Sequence, residues 1–160
     1  MAPTVWERVV AINLTGTFFG ARRALAEMLP RGTGRIINIA SVAGLVGAGG
    51  GPAYTASKHG VVGLTRQLAV AYAERGITVN AICPCAIQTG LRANSTRILG
   101  ADAPPMRGIG GDEAAIRAVT PVGRRGTLPE VAAAVCYLAS QEAAYVTGHT
   151  LVIDGGWTAR

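Results

Sequence analysis

Over "TVWERVVAINLTGTFFGARRALAEML", residues 4–29, apolar positions return at helical intervals and predict one helix of about seven turns. Thr4 and Glu7 stand at capping-box spacing at its start, and Pro30 with Gly32 and Gly34 stops it. "RIINIAS", 35–41, is short, β-branched and apolar on both faces, the pattern of a buried parallel strand. A glycine-rich loop, 44–51, leads through Pro52 into a second long helix that ends near Arg75-Gly76. "ITVNAICP", 77–84, reads as another buried strand closed by Pro84.

Residues 86–126 lack a sustained period and are dense in Gly, Pro and Arg, with one short helix expected at "DEAAIRAV". A segment of that kind is usually functional, and it is read as a substrate lid. Thr127 to Glu130 combines a capping box with proline in the first turn, so a helix follows to about Ser140. "HTLVIDGG" supplies a third strand. Helices alternating with strands imply right-handed crossovers, hence α/β: part of a Rossmann-type, doubly wound parallel sheet, its last three strands with their helices.

Composition narrows the class. The 160 residues are enough for one domain, 1–160, with a real core, and 49% hydrophobic content excludes disorder. No stretch has the apolar length of a membrane span, and the N-terminus lacks the features of a signal peptide. Cys83, Cys85 and Cys136 are therefore read as reduced thiols of a cytoplasmic protein. With His149 they would offer only an atypical C-x-C zinc spacing, so no metal site is assigned. The net charge of +6 is carried by scattered arginines with few aromatics among them, unlike a nucleic-acid reader.

The chemistry concentrates in "AYTASKHG". Lys58 is the single lysine of the chain, one helical turn after Tyr54, so the two side chains share a helix face. A nearby ammonium favours the phenolate and is expected to pull the tyrosine pKa down, fitting it for acid/base work on an alcohol or ketone. By spacing alone the pair also suits an ordinary solvated helix face. Ser41 closes the first strand, at the carboxyl end where parallel sheets meet ligands. His59 is read as incidental, His149 and Asp154 as turn or cap residues, and "GLVGAGGGPA" as a flexible loop on the substrate side.

In order and at coherent spacing, "INLTG", "GRIINIASVAG", "PAYTASKHGVVGLTRQLA", "GITVNAICP" and "LVIDGG" resemble the short-chain dehydrogenase/reductase family from about Val5 to Trp157. The resemblance implies an NAD(P)-dependent oxidoreductase interconverting a secondary alcohol and a ketone. It implies Tyr54 as the acid/base, Lys58 as the group that tunes it and binds the nicotinamide ribose, and Ser41 as the group that orients the substrate oxygen. Asn13 matches an asparagine supporting a water relay to the lysine, although simple helix packing explains it too. Thr89 and Ile87, shortly after Pro84, match contacts to the nicotinamide carboxamide. Asn80 matches a structural asparagine. Where the family has Pro-Gly, this chain has Pro84-Cys85, which adds a side chain beside the expected nicotinamide pocket.

The family's opening strand, glycine-rich turn and Asn-Ala-Gly motif find no counterpart, since Met1 aligns just before the helix carrying Asn13. The expectation is therefore a catalytic half whose Met1 is internal to a longer chain, with strand 35–41 left as an exposed apolar edge. The alternatives are a non-catalytic module that docks on an intact homologue, or a separate polypeptide that supplies the nucleotide half. Homo-oligomers through the two long helices are the expected assembly. Substrate identity stays open: Leu91, Ile98, Leu99, Met106 and Ile109 suit an apolar lid, whereas Arg92, Arg97 and Arg107 suit an acidic substrate. The choice between NAD and NADP stays open as well.

Overall fold

A computed structural model describes residues 1–47, 50–100 and 112–159, without the side chains of residues 92, 93 and 99. The first long helix runs as α1 (Pro3–Val10), a π-helical turn (Ala11–Thr15) and α2 (Gly16–Met28). Ala2 precedes it with no side-chain cap, so the Thr4–Glu7 box does not form: the helix begins at Pro3, and Thr4 already lies inside it. Then come β1 (Gly34–Ile39), α3 (Gly51–Tyr72), β2 (Ile77–Pro84), α4 (Leu91–Leu99), α5 (Glu113–Val119), α6 (Leu128–Ala139) and β3 (Thr150–Ile153).

The sheet is parallel, in the order β1-β2-β3. Its register runs from Gly34↔Ile77 to Ile39↔Ile82 and from Ala81↔Thr150 to Pro84↔Ile153. Alternate residues of β2 face the long helices: Ile77 and Val79 pack with Ala21, Leu25, Ile36 and Ala69, while Ala81 and Cys83 pack with Ala40, Val61 and Val62. Helix α6 packs on β1 and β2, and Leu138 is its buried anchor.

β2 is buried along its length, as predicted; β1 is only partly buried, which departs from the buried pattern of its sequence and agrees with the exposed apolar edge expected for it. Its Ile39 is 48% exposed, because β1 pairs on one side only among the described residues. The strand also stops at Ile39, two residues short of the predicted end. From Ala40 the chain turns toward α3.

Two polar anchors hold the sheet together. Asn80, fully buried, donates to Val146 O (2.8 Å) and accepts from His149 N (3.0 Å), fastening the approach to β3 onto β2. Asn38 donates to Thr65 Oγ1 (2.9 Å) on α3. Gly76 is needed for two reasons: its φ is 72°, and a Cβ would lie 2.1 Å from the Gly32 carbonyl oxygen.

In the segment 86–126, α5 forms at the predicted place with Asp112 as cap, whereas α4 was not predicted. Met106, Arg107 and Ile109 lie outside the described residues. Helix α6 starts with the predicted capping box of Thr127 and Glu130.

Candidate active site

The turn after β1 and the first two turns of α3 build the site. Ser41 is extended at the N-cap of a short 3₁₀ turn, Val42–Gly44, and its Oγ accepts from Ala43 N at 3.1 Å. That leaves the hydroxyl proton for another partner, and the Ser41 side chain lies near enough to the Tyr54 phenol to pull its pKa downward. Gly44 lets this turn lie flush on α3, since a Cβ there would come within 2.6 Å of Lys58 O. The helix entry needs left-handed backbone, which Gly50 (φ 105°) and Gly51 (φ 82°) supply just before Pro52.

Lys58 stands one turn beyond Tyr54, with Nζ 5.7 Å from the centroid of the phenol ring. The same ammonium donates to Ile39 O at 2.9 Å, so it is tied to the end of β1. Asn13, within the π-helical turn, donates through Nδ2 to Ser57 Oγ (3.1 Å), and Ser57 Oγ donates to Tyr54 O (2.7 Å). The Asn13 carbonyl accepts from Thr17 Oγ1 (2.7 Å). A π-helical turn in a long helix frequently accompanies a functional residue.

Of the residues predicted from sequence, Asn13, Ser41, Tyr54 and Lys58 therefore come together. Pro84 reaches the same carboxyl edge of the sheet through β2. Ile87 makes a parallel bridge to Gly126, and Thr89 Oγ1 accepts from Leu91 N (3.3 Å) at the start of α4, so both stand outside that cluster. Ser57 was missed. It sits three residues after Tyr54, one helical turn away, but nothing in that spacing reveals that its hydroxyl bridges two helices.

Electrostatics corrects one expectation. Burial pushes the Tyr54 phenol above its ordinary value; the Ser41 side chain opposes that push without overcoming it. The predicted fall caused by Lys58 does not emerge, because Lys58 is itself half-buried and burial pulls its pKa below the ordinary lysine value. Both groups lean toward their neutral forms. Burial likewise raises the Cys83 thiol, which is packed behind them at the end of β2.

Among the described residues two open hollows stand out, and Ser41, Tyr54 and Lys58 are not in the wall of either. One of about 370 Å³ lies between Val46, Gly47, Val119, Trp157 and Thr158. The other, about 410 Å³, runs along α2 and the open side of β1, from Thr17 to Met28 and from Arg35 to Ile39. Asp154, beside the first, is a turn residue as predicted: Oδ1 accepts from Gly156 N (2.9 Å), and Oδ2 accepts from Thr158 N and Oγ1 (2.6 Å each).

Comparison with known proteins adds to this geometry. Residues 1–158 match the family model described as enoyl-(acyl carrier protein) reductase. The chain is 45% identical over 155 residues to 2-(S)-hydroxypropyl-CoM dehydrogenase 3 of Xanthobacter autotrophicus, covering 96% of this chain and 58% of that protein. It is 44% identical over 154 residues to a protein of the same organism named inactive 2-(S)-hydroxypropyl-CoM dehydrogenase 2, covering 96% and 64%. The solved structure of ElxO with NADP bound superposes with a TM-score of 0.82 at 31% identity, covering 100% of this chain and 60% of that one. The chain thus spans less than two thirds of the length of the curated relatives it matches.

Proposed function

The chain belongs to the short-chain dehydrogenase/reductase family, and from that membership we propose that it carries the proton-handling part of an NAD(P)-dependent oxidoreductase that interconverts a secondary alcohol and a ketone. The observation that carries this reading is the Lys58 ammonium 5.7 Å over the Tyr54 ring, with Ser41 near enough to the phenol to act on its pKa. In ketone reduction the Tyr54 hydroxyl gives its proton to the carbonyl oxygen; in alcohol oxidation the phenolate takes that proton back. The Ser41 hydroxyl orients the reacting oxygen beside the phenol. Asn13 acts at one remove: through Ser57 it fixes the backbone of Tyr54, and so it is a positioning residue.

The residues present fit the nicotinamide riboside end of a dinucleotide. Lys58 spends one of its three N–H donors on Ile39 O, which leaves two for ribose hydroxyls. Pro84, Ile87 and Thr89 follow one another from the carboxyl end of β2, the side of a parallel sheet where dinucleotides bind. They are the candidates for contact with the carboxamide. When bound, that group supplies or accepts the hydride.

The test is turnover of secondary alcohols with NAD⁺ and NADP⁺, wild type against Tyr54→Phe. The variant is expected to lose at least about a hundredfold in kcat with its thermal melting unchanged. Equal turnover in both proteins overturns the reading.

The relative named inactive favours a second reading, a non-catalytic module that docks on an intact family member. Folded protein that turns over no alcohol, yet co-purifies with a homologue, supports it.

A further inference from the structure

Tyr54 stands in the first turn of α3, and its backbone is fixed there by the helix and by the Ser57 hydroxyl on its carbonyl (2.7 Å). The side chain keeps two torsions, and for an aromatic ring the second is broad and two-fold. Something beside the ring has to choose where the hydroxyl points. Side chains in a helix lean back toward its N-terminus, over the residues three and four positions earlier. For Tyr54 the residue four earlier is Gly50, the N-cap of α3.

Gly50 meets the ring at its root. A Cβ built there would stand 2.6 Å from Tyr54 Cδ1, 3.0 Å from Cγ and 3.3 Å from Cβ, all closer than ordinary van der Waals contact. Turning the ring about χ2 moves Cδ1 but not Cγ, which lies on that axis. Relief at Cγ therefore needs a turn about χ1, and the phenol oxygen, at the far end of the ring, travels furthest. Its neighbours do not follow. Lys58 is tied to Ile39 O (2.9 Å), and Ser41 is held in the turn after β1, its Oγ accepting from Ala43 N (3.1 Å).

The backbone of Gly50, with φ 105°, by itself favours glycine. Gly32, in the turn before β1, has φ 62° with nothing within 4 Å of a Cβ, so it shows what left-handed backbone alone demands. Contact with the Tyr54 ring is what separates the two. Resting on the reading of Tyr54 as the proton-handling group, we propose that Gly50 is a positioning residue for it. Its bare Cα is the stop against which the phenol ring rests, and a side chain there swings the hydroxyl away from Ser41 and Lys58.

The experiment compares Gly50→Ala with Gly32→Ala. Ultraviolet phenolate titration of each protein, minus the same protein carrying Tyr54→Phe, isolates the Tyr54 phenol. Its midpoint is expected to move in Gly50→Ala and to keep the wild-type value in Gly32→Ala. Lys58 and Cys83, which face the phenol from α3 and β2, are present in both. In turnover of secondary alcohols, kcat is expected to fall at least about tenfold in Gly50→Ala, with KM held within about twofold. Gly50→Asn carries the same Cβ on a residue that tolerates left-handed backbone, and takes the place of Gly50→Ala if that variant does not fold.

The proposal is overturned by a wild-type midpoint in a folded Gly50 variant, by an equal shift in Gly32→Ala, or by a moved midpoint with kcat unchanged. Loss of the fold in both Gly50 variants, beside a folded Gly32→Ala, overturns it too, because the glycine then serves the fold and not the aim of the ring. The titration needs neither cofactor nor substrate. A moved midpoint in a protein that turns over no alcohol keeps the stop and removes the dehydrogenase reading; turnover with midpoint and kcat untouched by Gly50→Ala removes the stop alone.

Discussion

At the scale of the residue, Tyr54 and Lys58 share a helix face and are both largely withdrawn from water, and burial shifts the two groups in opposite directions. Spacing says that two side chains share a helix face. It does not say how much water remains around them, and here burial raises the phenol against the lowering pull of Ser41 while it lowers the ammonium. Tyr54 is thus expected to ionise above the ordinary phenol value of 10.0. Ultraviolet phenolate titration of wild type minus Tyr54→Phe isolates it among four tyrosines, and a midpoint below 10.0 in the difference curve contradicts the assignment. The sign carries into function. A raised pKa keeps the proton on Tyr54 through neutral pH, so without cofactor bound the site is set for ketone reduction, and alcohol oxidation is expected to rise as pH climbs toward that midpoint.

Elements were read well where periodicity and caps agree. The capping box of Thr127 and Glu130 was visible because both of its hydrogen bonds are local; Thr127→Ala is expected to cost about 1 kcal/mol in chemical denaturation. The surface ion pairs around it, Arg124 with Glu130 and Arg125 with Glu113, add little by comparison. Helix α4 was missed because "LRANSTRIL" carries polar residues at most positions and shows no clean apolar stripe. The π-helical turn was equally hidden, since one extra residue per turn leaves almost no trace in composition. Gly44 holds the element pair that matters most. Gly44→Ala forces the turn after β1 away from the Lys58 carbonyl, at an expected cost of about 1–3 kcal/mol. It should also lower kcat more than KM, because the Ser41 hydroxyl moves relative to Tyr54. Unchanged stability and kcat would show that the contact yields freely.

Across the whole molecule, the parallel order of the strands followed from the alternation of helix and strand, but the open side of β1 did not follow from the pattern of β1 itself. "RIINIAS" reads as buried on both faces, yet Ile39 is nearly half exposed. The long helices carry further exposed apolar side chains: Trp6, Ile12, Phe18 and Phe19 on the first, Val70 on the second. Concentration-dependent association in sedimentation is the expected result, since patches of this kind seldom stay bare. Phe19→Glu should return the protein to monomer if the helix face carries it. If Ile37→Lys does so instead, the strand edge is the contact.

Asn80 gives the fold an order in time. β1, α3 and β2 are contiguous in the chain and can assemble as one crossover unit while the remainder is still unstructured. Within that unit the Asn80 side chain has no partner, because both of its hydrogen bonds wait for Val146 and His149. The arrival of β3 is then the closing event, and Asn80 is its latch. Asn80→Ala should leave the refolding rate nearly unchanged while unfolding accelerates about thirtyfold for a loss of about 2 kcal/mol. A variant that refolds slowly and unfolds at the wild-type rate would place Asn80 in the nucleus instead.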